Sequence, residues 1–293
     1  MISRREFLIS VPLSVPLAGA LPALARAATA PSNRVGCQAN AWQIKPGDFA
    51  DLLKRAGDMK RLGFEDFECN VRFVEGQFAN AKQARRQIDE TGMTFFGPHM
   101  GLGQPAEHYD RLIDGAASLG AKRFALSGAS GKNLTKEGKL DEEFLKNKVE
   151  SVTSLAKRCH DAGLRLTYHN HVAEFAGGAA EIDAFLKHTD PELVFLLFDI
   201  GHAFRAGADV VAFFAKHSSR IDALHLRDIR NKKQVPLGQG EIDFTGLAAA
   251  AGKAGWPGWL TVEEENLWKS AGPKKLEPIL EIDRRAIRKF FGV

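Results

Sequence analysis

Short β-favouring apolar runs recur eight times along the chain, at 33–39, 64–69, 94–99, 123–127, 164–169, 193–199, 221–226 and 259–263. Each has the length of a strand buried on both faces. Between them the period changes to that of a helix. Phe49, Leu52, Leu53, Ala56, Met59 and Leu62 form one apolar stripe, and Phe144, Leu145, Val149, Val152, Leu155, Ala156 and Cys159 form another. Gly63, Gly92, Gly120 and Gly163 stand where a left-handed helix cap favours glycine, and a strand run follows soon after each. A last helix is expected over 278–291. Eight strand–helix units in roughly 250 residues predict a (β/α)8 TIM barrel rather than an open doubly wound sheet.

Composition narrows the picture. Of the 293 residues, 44% are hydrophobic and 26% charged, which excludes a disordered chain, a collagen and a polytopic membrane protein. The net charge of +4 gives no nucleic-acid footprint. Three cysteines are too few for a disulfide framework, and none sits in a Cys-x-x-Cys pair. Residues 31–293 carry no linker or low-complexity block and read as one domain.

Residues 1–30 read differently. Arg4 and Arg5 precede an apolar stretch over 7–25, and the small residues Ala27, Ala28, Thr29 and Ala30 follow it. That is the layout of a cleaved export signal, and Pro12, Pro16 and Pro22 argue against a spanning helix. Ser3-Arg4-Arg5-Glu6-Phe7-Leu8 resembles the twin-arginine signal motif. The resemblance implies export of an already folded protein to a bacterial periplasm, with no membrane contact after cleavage.

In such a barrel the active site lies where strands end and loops begin. The fifth run ends in Tyr168, His169, Asn170 and His171 with Glu174 beyond; the sixth ends in Asp199, with His202 three residues later. The seventh ends in His225, Arg227 and Asp228, and the eighth in Glu263. Any one of these polar residues is explained by helix capping. Four consecutive strand ends carrying His169, Asp199, His225 and Glu263 point instead to a bound divalent ion, with Mn²⁺ the first choice and Zn²⁺ or Mg²⁺ next.

These residues carry a resemblance that spans nearly all of residues 31–293. The stretches 198–203, 224–228, 236–244 and 259–263 resemble motifs of the xylose-isomerase-like barrel superfamily, which holds sugar isomerases, ketose 3-epimerases, inosose dehydratases and endonuclease IV. The resemblance implies a metal site of Glu, Asp, His and Glu, of which Asp199, His225 and Glu263 match directly. At the fifth strand the family's glutamate is missing. Either His169 takes its place, which the strand-end register favours, or the loop brings in Glu174.

In the epimerases two metal-bound glutamates face opposite sides of the substrate. A single base, Glu263 or Glu174, suffices for isomerisation or for elimination beside a carbonyl, with the ion holding the enediolate oxygens. His202 is expected to hydrogen-bond a substrate hydroxyl. His99 resembles the family's substrate-contacting histidine, Glu68 is a candidate sugar contact, Arg227 a candidate partner for a carboxylate or polar sugar face, and Trp42 and Trp268 candidate stacking surfaces. Gly238 and Gly240 lack the lysine and serine of a phosphate loop and read as a loop with a helix cap.

The expected activity is therefore that of a metal-dependent sugar isomerase, epimerase or lyase acting on a sugar or oxidised glycoside. The alternatives are an endonuclease IV-like phosphodiesterase, against which the near-neutral charge stands, and a non-catalytic sugar-binding subunit. Assembly into a homo-oligomer is left open by the sequence.

Overall fold

The apolar runs form strands β1 Arg34–Gln38, β2 Asp66–Asn70, β3 Thr94–Gly101, β4 Arg123–Ser127, β5 Arg165–His169, β6 Val194–Asp199 and β7 Ile221–Leu226. A hairpin of β8 Asp228–Arg230 and β9 Lys233–Val235 follows, then β10 Trp259–Val262. The computed structural model describes residues 33–128, 133–135, 138–264 and 276–293. Trp268 and the export-signal segment lie outside the described residues. Eight parallel strands close in the order β1-β10-β7-β6-β5-β4-β3-β2, so the expected (β/α)8 barrel forms as a single domain.

Around it lie α1 Phe49–Arg61, α2 Ala81–Glu90, α3 Ala106–Ser118, α4 Glu142–Asp161, α5 Val172–His188, α6 Ile200–Arg205, α7 Val210–His217, α8 Phe244–Ala254 and α9 Leu276–Phe291. The stripe on α1 buries Phe49, Leu52, Ala56 and Met59, and Asp48 caps its start by accepting the Asp51 N–H at 3.0 Å. Gly63, Gly92, Gly120 and Gly163 all have positive φ, as their cap positions require. Among the described residues no helix is long and apolar enough to cross a membrane.

The β8–β9 hairpin has no hydrophobic run to announce it. Its turn places Asn231 and Lys232 at φ 52° and 63°. The glycine loop beyond it wraps a carboxylate of this chain: Asp228 accepts the N–H groups of Gly238 at 2.9 Å and Gly240 at 2.7 Å. Asp243 then caps α8 through the Gly246 N–H at 2.8 Å, in line with the loop-and-cap expectation.

Because side chains alternate along a strand, every second residue looks into the barrel. Phe96, Ala125, Leu197, Ala223 and Trp259 form an apolar cluster separate from the larger core between strands and helices. They fill the barrel's lower interior. The same alternation carries Trp259 through Thr261 to Glu263, Ala223 to His225 and Arg227, Leu197 to Asp199, and Thr167 to His169. One inward file on each strand thus ends in a polar group at the mouth.

Candidate metal centre

His169, Asp199, His225 and Glu263 each offer a ligand atom, all within 4.8 Å of one another, and all four side chains are buried. His169 Nε2 lies 3.5 Å from Asp199 Oδ2 and 3.6 Å from Glu263 Oε2, and His225 Nδ1 lies 2.6 Å from the same Glu263 oxygen. Yet His169 Nε2, His225 Nδ1 and Glu263 Oε2 have no aligned hydrogen-bond partner. Buried polar atoms are rarely left so, and here they point at one another. Two nitrogens and two carboxylate oxygens converging with no aligned hydrogen bond among them is the donor set of a divalent ion, and these residues fit one.

The surroundings orient the ligands. Glu68, buried at the end of β2, accepts Gln38 Nε2 at 2.6 Å and lies 3.1 Å from His225 Nε2. With Glu68 on its Nε2 side and Glu263 on its Nδ1 side, the His225 ring is fixed so that Nδ1 faces the cluster. Asn170 Nδ2 donates to the Asp199 carbonyl at 3.0 Å, and its oxygen accepts the Asp199 N–H at 2.9 Å. Asp199 Oδ1 caps α6 by accepting the His202 N–H at 2.7 Å, which leaves Oδ2 facing the cluster.

Burial would lower His225, but the Glu263 and Glu68 carboxylates outweigh it and hold the imidazole well above its ordinary range. Burial, and then the neighbouring His99 and His225, push His169 well below its ordinary value, so it is a neutral ring with a lone pair to give. Burial would raise Glu263, yet Arg227 and His225 hold it well below the ordinary carboxylate range. Burial also lowers His171 and His202.

The remaining predicted residues divide. His99 Nδ1 lies 3.3 Å from Glu68 Oε1, with its ring 4.8 Å from that of His169, and its Nε2 is buried and unpartnered. His202 Nε2 lies 3.9 Å from Asp199 Oδ2. Both line the site. Glu68 is placed to orient His225 rather than to meet a sugar, and Arg227 is packed against Asp199 and Glu263. Trp42 is half-buried against the hydrophobic core beyond β1.

Glu174, the alternative fourth ligand and candidate base, is not brought to the cluster. It sits in the first turn of α5, where Oε2 accepts the His171 N–H at 3.0 Å, and Oε1 accepts the Tyr168 hydroxyl at 2.8 Å and lies 3.4 Å from Lys148 Nζ. Lys148 also pairs with Glu181, so the carboxylate is committed to a buried network behind β5. Gly128 makes room for it, since a Cβ there would overlap both the Tyr168 hydroxyl and the Glu174 carboxylate.

A family model described as a xylose isomerase-like TIM barrel matches residues 57–289. The chain belongs to that family. Among curated relatives, inosose dehydratase from Salmonella typhimurium (strain LT2) is 32% identical over 150 residues, covering 44% of this chain and 48% of the relative. Inosose dehydratase from Lacticaseibacillus casei is 32% identical over 139 residues, 41% of this chain and 46% of the relative. The matches span about half the length of these proteins.

Solved structures share the fold over most of the chain. D-psicose 3-epimerase from Clostridium cellulolyticum H10, solved with D-tagatose, superposes with a TM-score of 0.70 at 17% identity, covering 88% of this chain and 99% of that one. An IOLI protein with a bound zinc atom gives 0.69 at 12% identity, covering 88% and 98%. For this xylose isomerase-like barrel, sequence reasoning assigned no role to His171 or Asn170. His171 has its ring 4.8 Å from that of His169 and 5.0 Å from that of His202, and its Nδ1 is buried and unpartnered. The signal was in the Tyr168–His171 run, where position 171 is the next inward register after 169.

Proposed function

We propose that this protein is a divalent-metal-dependent lyase that eliminates water or an alcohol beside the carbonyl of an oxidised cyclitol or sugar ring. The ion would be held by His169, Asp199, His225 and Glu263, with Mn²⁺ or Zn²⁺ suiting the mixed donors, and would supply Lewis-acid stabilisation of the enediolate oxygens. The observation that carries the reading is the asymmetry of the site. Glu263 turns one oxygen toward His169 Nε2, His225 Nδ1 and the Arg227 guanidinium at once, which commits that oxygen to the cluster as a ligand. The second carboxylate of an epimerase-like pair has no counterpart here, because His169 stands at its strand position and Glu174 is engaged elsewhere. Proton transfer falls to the neutral imidazoles of His171 and His202, each with a buried, unpartnered Nδ1. A neutral imidazole that takes the proton next to the carbonyl becomes an imidazolium, which returns it to the departing oxygen; one side of the ring then suffices for elimination.

The inosose dehydratase relatives support the lyase reading, and residues 1–30 support a protein exported folded to the periplasm. The test is to incubate purified protein with an inosose and with 3-keto-glycosides and follow the ultraviolet absorbance of the unsaturated or dicarbonyl product. Absorbance that grows, and stops when a chelator is added, is the expected result. Interconversion of ketoses with no loss of water or alcohol would replace the lyase by an isomerase, and no turnover with any of them would leave a binding subunit.

A further inference from the structure

Arg227 is almost fully buried and contacts two of the four ligands. Its Nε donates to Asp199 Oδ2 at 2.7 Å and its Nη2 lies 2.7 Å from Glu263 Oε2. These are the same two oxygens that face His169 Nε2 at 3.5 and 3.6 Å. One guanidinium therefore spans both carboxylates through the atoms a divalent ion would need. Its backbone has little room to yield. The next residue, Asp228, is tied down by the N–H groups of Gly238, Gly240 and Ile242, and the stem packs so closely on α6 that a Cβ on Gly201 would lie 2.6 Å from the Arg227 Cβ.

We infer that Arg227 is an internal cation that competes with the metal ion for Asp199 and Glu263, so that metal uptake is an exchange of one cation for another. The inference rests on the four-residue metal site proposed above. A dication bound by the two oxygens would stand beside a guanidinium at contact distance, and like charges so close in a buried site repel strongly. The flexible side chain is the part able to move, and a released guanidinium is delivered to the mouth, where an enolate or carboxylate oxygen of the substrate would meet it.

The opposite role makes the opposite prediction. If Arg227 instead braces the carboxylates in position for the ion, its loss must weaken metal binding. Zn²⁺ titrations of the full chain against a chromophoric chelator separate the two. Arg227→Met is expected to bind Zn²⁺ tighter than wild type by about tenfold or more, the worth of one buried charge-assisted contact. Equal or weaker binding overturns the inference while leaving the metal site intact. No Zn²⁺ uptake by either protein overturns both. If Arg227→Met does not fold, Arg227→Lys serves, since one ammonium cannot span both oxygens and should give a smaller gain of the same sign. A crystal structure of Zn²⁺-loaded wild type gives an independent reading. Arg227 withdrawn from at least one of the two oxygens is expected, and Arg227 still in contact with both overturns the proposal.

Discussion

Arg34 and Gln38 face into the barrel from opposite ends of β1, as do Asp66 and Glu68 on β2 and Arg165 and His169 on β5. At the floor the charged members pair. Arg34 forks onto Asp66 at 2.5 and 3.0 Å, and Arg123 forks onto Asp222 at 2.6 and 3.1 Å with Arg165 on the same carboxylate. The guanidiniums also stack: Arg123 lies 4.8 Å and Arg34 5.0 Å from the Trp259 ring centroid. None of these five side chains has a buried unpartnered polar atom. At the mouth, on strand ends and the segments that follow them, His99, His169, His171, His202, His225 and Glu263 all do. The floor pairs every charge it brings together, burying the carboxylates under the guanidiniums, and the mouth leaves donor atoms open for something the chain does not itself supply.

The largest effect that would break this comparison is at His169. His169→Leu removes a neutral ring whose nitrogens bond to nothing, so the barrel should melt at the same or a higher temperature. Metal should be lost and turnover should fall by about 10³-fold, since the Lewis acid goes with its ligand. Elemental analysis beside a thermal melt decides it, and a variant that keeps one equivalent of metal removes His169 from the site. At the floor the outcome is reversed. Asp222→Ala strands the Arg123 guanidinium and should cost ~3 kcal/mol in denaturant unfolding, while metal content stays at the wild-type level. Metal loss in Asp222→Ala would mean that the two ends are coupled.

Much of this contrast was legible in the sequence, because alternation along a buried strand fixes which residues share a face once the strand end is known. His169, Asp199, His225 and Glu263 were found that way. What escaped depends on contacts between distant segments. Lys148 interrupts the apolar stripe of α4 as a charge, yet it is buried because Glu174 and Glu181 meet it from α5. Glu68 occupies the mouth register, but only the distance to His225 makes it an orienting group. The β8–β9 hairpin is three residues to a strand and carries Arg230, Lys232 and Lys233, so it has no hydrophobic signature at all.

A third region lies behind the mouth, where Glu264 Oε1 and Asp283 Oδ2 are both buried and without a hydrogen-bond partner in place. Burial pushes Asp283 up to about 7, and burial with the neighbouring Asp283 pushes Glu264 well above its ordinary range. A carboxyl whose folded pKa exceeds its unfolded one stabilises fully below the unfolded value, and that contribution is lost as pH rises through the folded value. For Asp283 the window runs from 3.8 to about 7. Asp283→Asn keeps an acceptor for the Leu237 N–H and presents an amide to Glu264. Its melting temperature should fall by a few degrees less than wild type between about pH 5 and pH 8. Parallel curves would show that Asp283 does not carry the pH dependence.

The smallest expected effect is at Glu174, and it separates the two ways of reading the fifth strand. As a ligand or base, Glu174 could not be replaced by its amide without loss of metal or a fall in turnover of about 10²-fold or more. As a buried anchor it can be replaced at modest cost. A glutamine side chain there would still reach the Tyr168 hydroxyl and the His171 N–H, and Lys148 would keep Glu181 as its counter-ion. Glu174→Gln should therefore lose about 1–2 kcal/mol of stability, the worth of one charge-assisted contact made neutral. Its metal content should equal that of wild type and its turnover should stay within about twofold, because no atom of the cluster loses a partner. The anchor nonetheless touches the site through one bond, from the His171 N–H to Oε2 at 3.0 Å. A change confined to the pH profile of turnover, with metal content unchanged, would locate the effect in the His171 imidazole and leave the four ligands as assigned.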